Sequence, residues 1–167
     1  MILTFGGLPM VDIRMATDDM QYYFVNDYLN RFGPFEDLAK RYAKACVYSN
    51  RTLVAIQQGK IFGGITWSIK EGINSGMVEI FQMSILEPYR GKGYGSILVD
   101  NCLKDIETFY ASRNYPLQRI YISITESNII GRNLYRNKGF HVAASLKHHR
   151  INHNKDLLYV KDYGSRN

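Results

Sequence analysis

Apolar and polar residues alternate over Val11 to Met15 and over Arg119 to Thr125, and both runs predict strands. Thr52 to Ile56, Ile61 to Ile69 and Val78 to Leu86 are apolar enough for further strands. Gln57-Gln58-Gly59-Lys60 reads as a hairpin turn, and Glu71 to Gly76 as a second turn. Thr17 or Asp18 is placed to cap a helix reaching to about Arg31, which Gly33-Pro34 breaks. Pro34 suits the first turn of a second helix, to about Tyr48. Ser96 to Tyr110 is helical in pattern and ends near Arg113-Asn114. Ser127-Asn128 caps another helix that ends at Gly139. Phe140 to Leu146 and Leu157 to Val160 read as two last strands joined by a polar loop.

The resulting order is β-α-α-β-β-β-α-β-α-β-β. Three hairpin-linked strands followed by a strand-loop-helix unit imply a mixed sheet with helices packed on it. A doubly wound sheet would alternate more regularly. Residues 1–10 read as an N-terminal extension, and residues 11–167 as a single domain.

Composition narrows the class. The chain is 46% hydrophobic and 22% charged, which excludes disorder. No apolar run reaches the roughly 18 residues of a membrane span. The N-terminus lacks the basic segment of a signal peptide. Cys46 and Cys102 sit in helix-like apolar runs and read as free thiols, so the expected setting is cytoplasmic. The net charge is +6, and residues 76–167 carry 13 Lys/Arg against 8 Asp/Glu. That excess fits either a site for a polyanionic ligand or a solvated basic surface. Nucleic acid is disfavoured, because no run of five basic residues and no zinc-finger spacing occurs.

The basic half contains Arg90-Gly91-Lys92-Gly93-Tyr94-Gly95, between a predicted strand and a predicted helix. Glycines permit a tight turn and a close backbone approach. The helix N-terminus adds unpaired N–H donors and partial positive charge, so the segment suits a phosphate. A Walker loop is absent, and Ser96 stands where a dinucleotide fingerprint needs its third glycine.

Two motifs carry a resemblance to a known family. One is Arg/Gln-x-x-Gly-x-Gly/Ala, here Arg90 to Gly95. The other is Asn-x-x-Ala-x-x-Leu-Tyr-x-x-x-Gly-Phe, here Asn128 to Phe140 with Gly131 in the alanine position. With this element order, the chain resembles the GNAT superfamily of acetyl-CoA-dependent N-acetyltransferases. The resemblance implies a mixed α/β fold with a mostly antiparallel, twisted sheet of about seven strands and about four flanking helices. It also implies acetyl transfer from acetyl-CoA to an amine, with no metal.

The resemblance assigns roles to particular residues. Gly91, Gly93, Tyr94, Gly95 and Ser96 would hold the pyrophosphate through backbone N–H groups, with charge support from Arg90 and Lys92. Met83 to Ile85 would pair with pantetheine, Ile85 placing an N–H at the thioester oxygen. Asn128 opens the second motif and joins the cosubstrate site. Tyr135 matches the tyrosine that protonates the leaving thiolate. Glu79 matches the glutamate base of histone-type members. Strand alternation places it with Phe81 and Met83, where apolar neighbours favour a raised pKa. Glu126 or a water is the alternative base, and Ser123 occupies the position of the base used by some N-terminal acetyltransferases. The acceptor is a small-molecule, peptide or protein amine, and a homodimer is an open option. The competing reading is a non-catalytic CoA-binding or acyl-sensing module. His148, His149 and His153 cluster in a predicted strand and loop, where no metal site is expected.

Overall fold

The computed structural model describes residues 11–147 and 155–164, and the backbone of Thr4–Phe5 and Leu8–Pro9. Those two short segments pair as a small antiparallel ladder. His148, His149 and His153 lie outside the described residues.

Among the described residues, seven strands form one sheet. They are β1 (Asp12–Met15), β2 (Arg51–Gln57), β3 (Lys60–Lys70), β4 (Met77–Ile85), β5 (Arg119–Thr125), β6 (His141–Leu146) and β7 (Asp156–Asp162). Their order in the sheet is β1-β2-β3-β4-β5-β7-β6. β1 and β3 run antiparallel to β2. β4 pairs with β5 in parallel from Met77↔Arg119 to Glu79↔Tyr121. β7 is antiparallel to both β5 and β6. The mixed, mostly antiparallel sheet is the one expected from the element order.

Four α-helices complete the described fold: α1 (Gln21–Phe32), α2 (Glu36–Lys44), α3 (Tyr94–Ala111) and α4 (Ile129–Asn137). Two differ from expectation. Thr17 does not cap α1; its hydroxyl donates to Asp19, and a 3₁₀ turn over Asp18–Met20 comes first. α2 stops at Lys44, and a π turn over Ala45–Ser49 follows. Three donors hold that wider turn. Asn50 N–H and Nδ2 both reach the Ala45 carbonyl, and the Thr52 hydroxyl donates to the Cys46 carbonyl at 2.8 Å. The side chain of a β2 residue thus competes for helix carbonyls, which periodicity cannot register.

The chain divides into two compact units, residues 1–67 with 82–101 and residues 68–81 with 102–167. In the first, α1 and α2 cover β2 and β3 through Tyr23, Phe24, Ala43, Cys46, Val54 and Ile61, all buried. In the second, alternate residues of β5 (Ile120, Ile122 and Ile124) are buried, as are Ile106 and Tyr110 of α3. No helix among the described residues is long and apolar enough to cross a membrane.

Candidate active site

The glycine loop belongs to the first unit. β4 ends at Ile85, and a 3₁₀ turn over Glu87–Tyr89, with Pro88 in its first turn, redirects the chain. Gly91 has φ 72° and Gly93 has φ 84°, and a Cβ built on either meets nothing within 4 Å. These glycines are needed for left-handed backbone, and they leave open space beside it. α3 then begins at Tyr94. The Gly93 carbonyl accepts from Ser96 N–H at 3.0 Å, so that donor is engaged in the first turn of the helix. Gly91 to Gly95 remain the stretch whose backbone suits an anion.

Both basic side chains of the loop fold back on it. Arg90 Nε donates to the Ile85 carbonyl and Lys92 Nζ to the Pro88 carbonyl, each at 2.8 Å. Beneath the loop Phe62 stacks on Tyr89, with centroids 4.3 Å apart, and packs on Tyr94 at 4.9 Å. Tyr94 is buried. Its side chain anchors the loop to β3, and only its backbone is available to a ligand.

The end of β4 has a defined edge. Leu86 N–H donates to the Phe62 carbonyl of β3 at 2.8 Å. Backbone groups alternate in direction along a strand. The Ile85 and Met83 N–H groups therefore point to the edge away from β3. Gly63 lets β3 approach closely here; its Cβ would stand 2.6 Å from Ile85 Cδ1 and 3.0 Å from the Ser84 carbonyl.

The second unit holds Tyr135, Glu79 and Asn128. Asn128 caps α4, its Oδ1 accepting from Gly131 N–H at 2.9 Å. A Cβ at Gly131 would stand 2.8 Å from Asn128 Nδ2, so glycine in the family's alanine position leaves room for this cap. Tyr135 lies on the inner face of α4, buried, with its ring edge-on to Phe140 at 5.4 Å. Burial, with a smaller contribution from the Cys102 thiol, raises its pKa well above the ordinary phenol range. Burial thus favours the protonated phenol.

Glu79 is partly exposed and sits 2.6 Å from Lys70 Nζ. Alternation does put it on the face away from Val78 and Ile80, but its neighbour is an ammonium rather than the apolar setting expected from sequence. Glu126 is similarly paired, with Lys155 Nζ at 2.7 Å. The Ser123 hydroxyl lies 3.4 Å from Asp156 Oδ2. A cavity of about 320 Å³ lined by Met77, Arg119, Tyr121 and Asp162 contains none of the residues singled out from sequence. Its Arg119–Asp162 pair is the cross-strand partnership expected of adjacent β5 and β7 positions.

Two buried carboxylates escaped the sequence reading. Asp27 lies three residues after the buried Phe24, and Asp156 opens β7. Their signal was weak: each is an acidic residue next to an apolar run, the usual sign of a solvated position.

Comparisons with known proteins converge on one family. The sequence profile of the acetyltransferase (GNAT) family matches residues 17–140. No curated protein sequence matches the chain. In structure it is similar to an acetyltransferase of the GNAT family from Streptococcus pneumoniae, with 18% identity and a TM-score of 0.72 over 93% of this chain and 100% of that one. It is similar also to the ribosomal-protein-S18-alanine N-acetyltransferase from Escherichia coli, with 14% identity and a TM-score of 0.72 over 95% of this chain and 98% of that one. A chain of the NatC complex bound to Gag peptide and CoA gives 14% identity and a TM-score of 0.73 over 92% of this chain and 99% of that one. At such identities the structures establish the fold alone. The profile match spans most of the chain and includes both motifs, and on that ground the chain belongs to the GNAT acetyltransferase family.

Proposed function

We propose that the protein is an N-acetyltransferase that moves the acetyl group of acetyl-CoA to a primary amine by direct attack. The observation that carries this reading is the open cradle at Gly91 and Gly93, at the head of α3 and within the matched family segment. A polyanion is the ligand that such a cradle suits. CoA is named beside a chain of this fold, in the NatC complex, and the S18-alanine enzyme is named for an amine acceptor.

The residues divide the work as follows. Gly91 to Gly95 hold the pyrophosphate, and Arg90 and Lys92 add charge. Asn128 supports the site by fixing the start of α4. The Ile85 N–H stabilises the oxyanion that forms when the amine attacks the thioester carbon, and Met83 on the same edge pairs with the pantetheine arm. Glu79 takes the proton that the ammonium must lose before attack, since a primary amine of pKa ~10 is mostly charged at neutral pH. When the carbon–sulfur bond breaks, Tyr135 gives its proton to the thiolate. The products are an N-acetyl amine and free CoA.

One observation favours the competing reading, a CoA-binding module without turnover: Glu79 is already paired with Lys70. Thiol release from acetyl-CoA across a panel of amino acids, peptides and small amines separates the two. The enzyme reading expects release that depends on one class of amine. Binding of acetyl-CoA with no release above the rate in buffer supports the module.

A further inference from the structure

α1 meets the end of β4 at two polar points. The Tyr23 and Ser84 hydroxyls lie 3.3 Å apart. Gln82 Nε2 donates to Asp27 Oδ2 at 3.2 Å. Tyr23 and Asp27 are four positions apart on α1, so they share a face and stand about 6 Å apart along the axis. Gln82 and Ser84 are two positions apart on β4, again sharing a face, and about 6.6 Å apart. The spacings match, and both contacts form in register.

Both helix residues are dry, Tyr23 at 6% and Asp27 at 8% exposure. Burial of a carboxylate is costly unless donors surround it. Here Arg31 Nη2 stands 2.6 Å from Asp27 Oδ2. Arg31 in turn donates to the Tyr42 hydroxyl at 3.0 Å, and its guanidinium lies over the Phe32 ring at 4.8 Å. An apolar pair of the same shape would join α1 to β4 without desolvating a charge. What the polar contacts add is direction, since a hydrogen bond fixes distance and angle where apolar packing tolerates sliding. Burial pushes the Tyr23 phenol up to about 12, so its hydroxyl remains a donor.

Met83 lies between the two gripped residues, and Ile85 follows the second. We propose that Tyr23 and Asp27 are positioning residues: by gripping Ser84 and Gln82 they fix the Ile85 N–H where the oxyanion forms. This rests on the acetyl-transfer reading. Oxyanion donors act only within a few tenths of an ångström of their proper place, and a misplacement of about 1 Å can cost about 10²-fold in rate.

Tyr23→Phe and Gln82→Met each delete one hydrogen bond with little change of shape, and Asp27 keeps Arg31 in both. Three readouts apply to the single and double variants: kcat, KM for acetyl-CoA, and hydrogen exchange at the Leu86 amide, which bonds the Phe62 carbonyl at the end of β4. The double variant should lose about tenfold or more in kcat, with KM changed less than about twofold. Exchange at Leu86 should quicken, while Gly91 to Gly95 stay as in the parent. If the double variant does not fold, the single variants carry the same expectations at smaller size. An unchanged kcat, with or without faster exchange, overturns the positioning role. If the parent itself releases no thiol, the acetyl-transfer reading fails. Exchange then judges the grip alone: faster exchange at Leu86 supports it and unchanged exchange overturns it.

Discussion

Tyr135 and Glu79 bear most of the proposed chemistry. Tyr135→Phe keeps the ring that packs on Phe140 and removes only the hydroxyl. Acetyl-CoA should bind this variant nearly as well as the parent, while kcat falls by about 10²-fold or more. Burial disfavours the phenolate, so the parent acid holds its proton beyond the ordinary range. The parent kcat should therefore show no alkaline fall up to about pH 10, the ordinary tyrosine value. A fall that begins near neutrality would assign the acid to another group. Glu79→Gln should be slow at neutral pH and recover at high pH, where the amine deprotonates by itself. The measurement is kcat against pH with one fixed acceptor. Equal profiles for variant and parent would leave Glu79 as the partner of Lys70 and turn attention to Glu126 or a water. At this scale the sequence was legible where a residue's role follows from backbone conformation, as at Gly91 and Gly93. It was illegible where the role depends on a partner distant in the chain. Neither the Lys70–Glu79 pair nor the Asp27–Gln82 contact leaves a trace in local pattern.

Among the elements, alternation placed β5 at its observed bounds, because one face of the strand, Ile120, Ile122 and Ile124, is buried and the other is not. The hairpin turn was legible too: Gln58 and Gly59 both have positive φ, as a two-residue β turn requires. The π turn after α2 was not, since the Asn50 and Thr52 side chains capture carbonyls that periodicity assigns to a plain helix, and neither was the 3₁₀ turn before α1, which Met20 N–H closes on the Thr17 carbonyl. The loop between β4 and α3 is the element that carries the account. Gly93→Val forces a β-branched residue into left-handed backbone, at about 1–2 kcal/mol or more, and fills the space beside it. Acetyl-CoA raises the parent melting temperature if it binds only the folded state. That rise should vanish in Gly93→Val. A folded Gly93→Val that keeps the full rise would remove the loop from the binding site.

For the whole molecule, element order was enough to predict the mixed sheet, since three hairpin-linked strands and a crossover leave few topologies open, while the family came from the two motifs. Charge was a poorer guide. The basic excess of residues 76–167 suits a polyanion, but net charge says nothing about the polarity of an acceptor pocket. The amine is therefore the part of the reaction to be found by experiment, and the same experiment tests acetyl transfer itself. The purified chain would be incubated with acetyl-CoA and single members of an amine panel, with thiol release and product mass followed together. An N-acetyltransferase gives at least one amine one acetyl group for each CoA released, with Tyr135→Phe suppressing both signals alike. Tight acetyl-CoA binding with neither signal across the panel would contradict it, and would make the protein a binding module on an acetyltransferase fold.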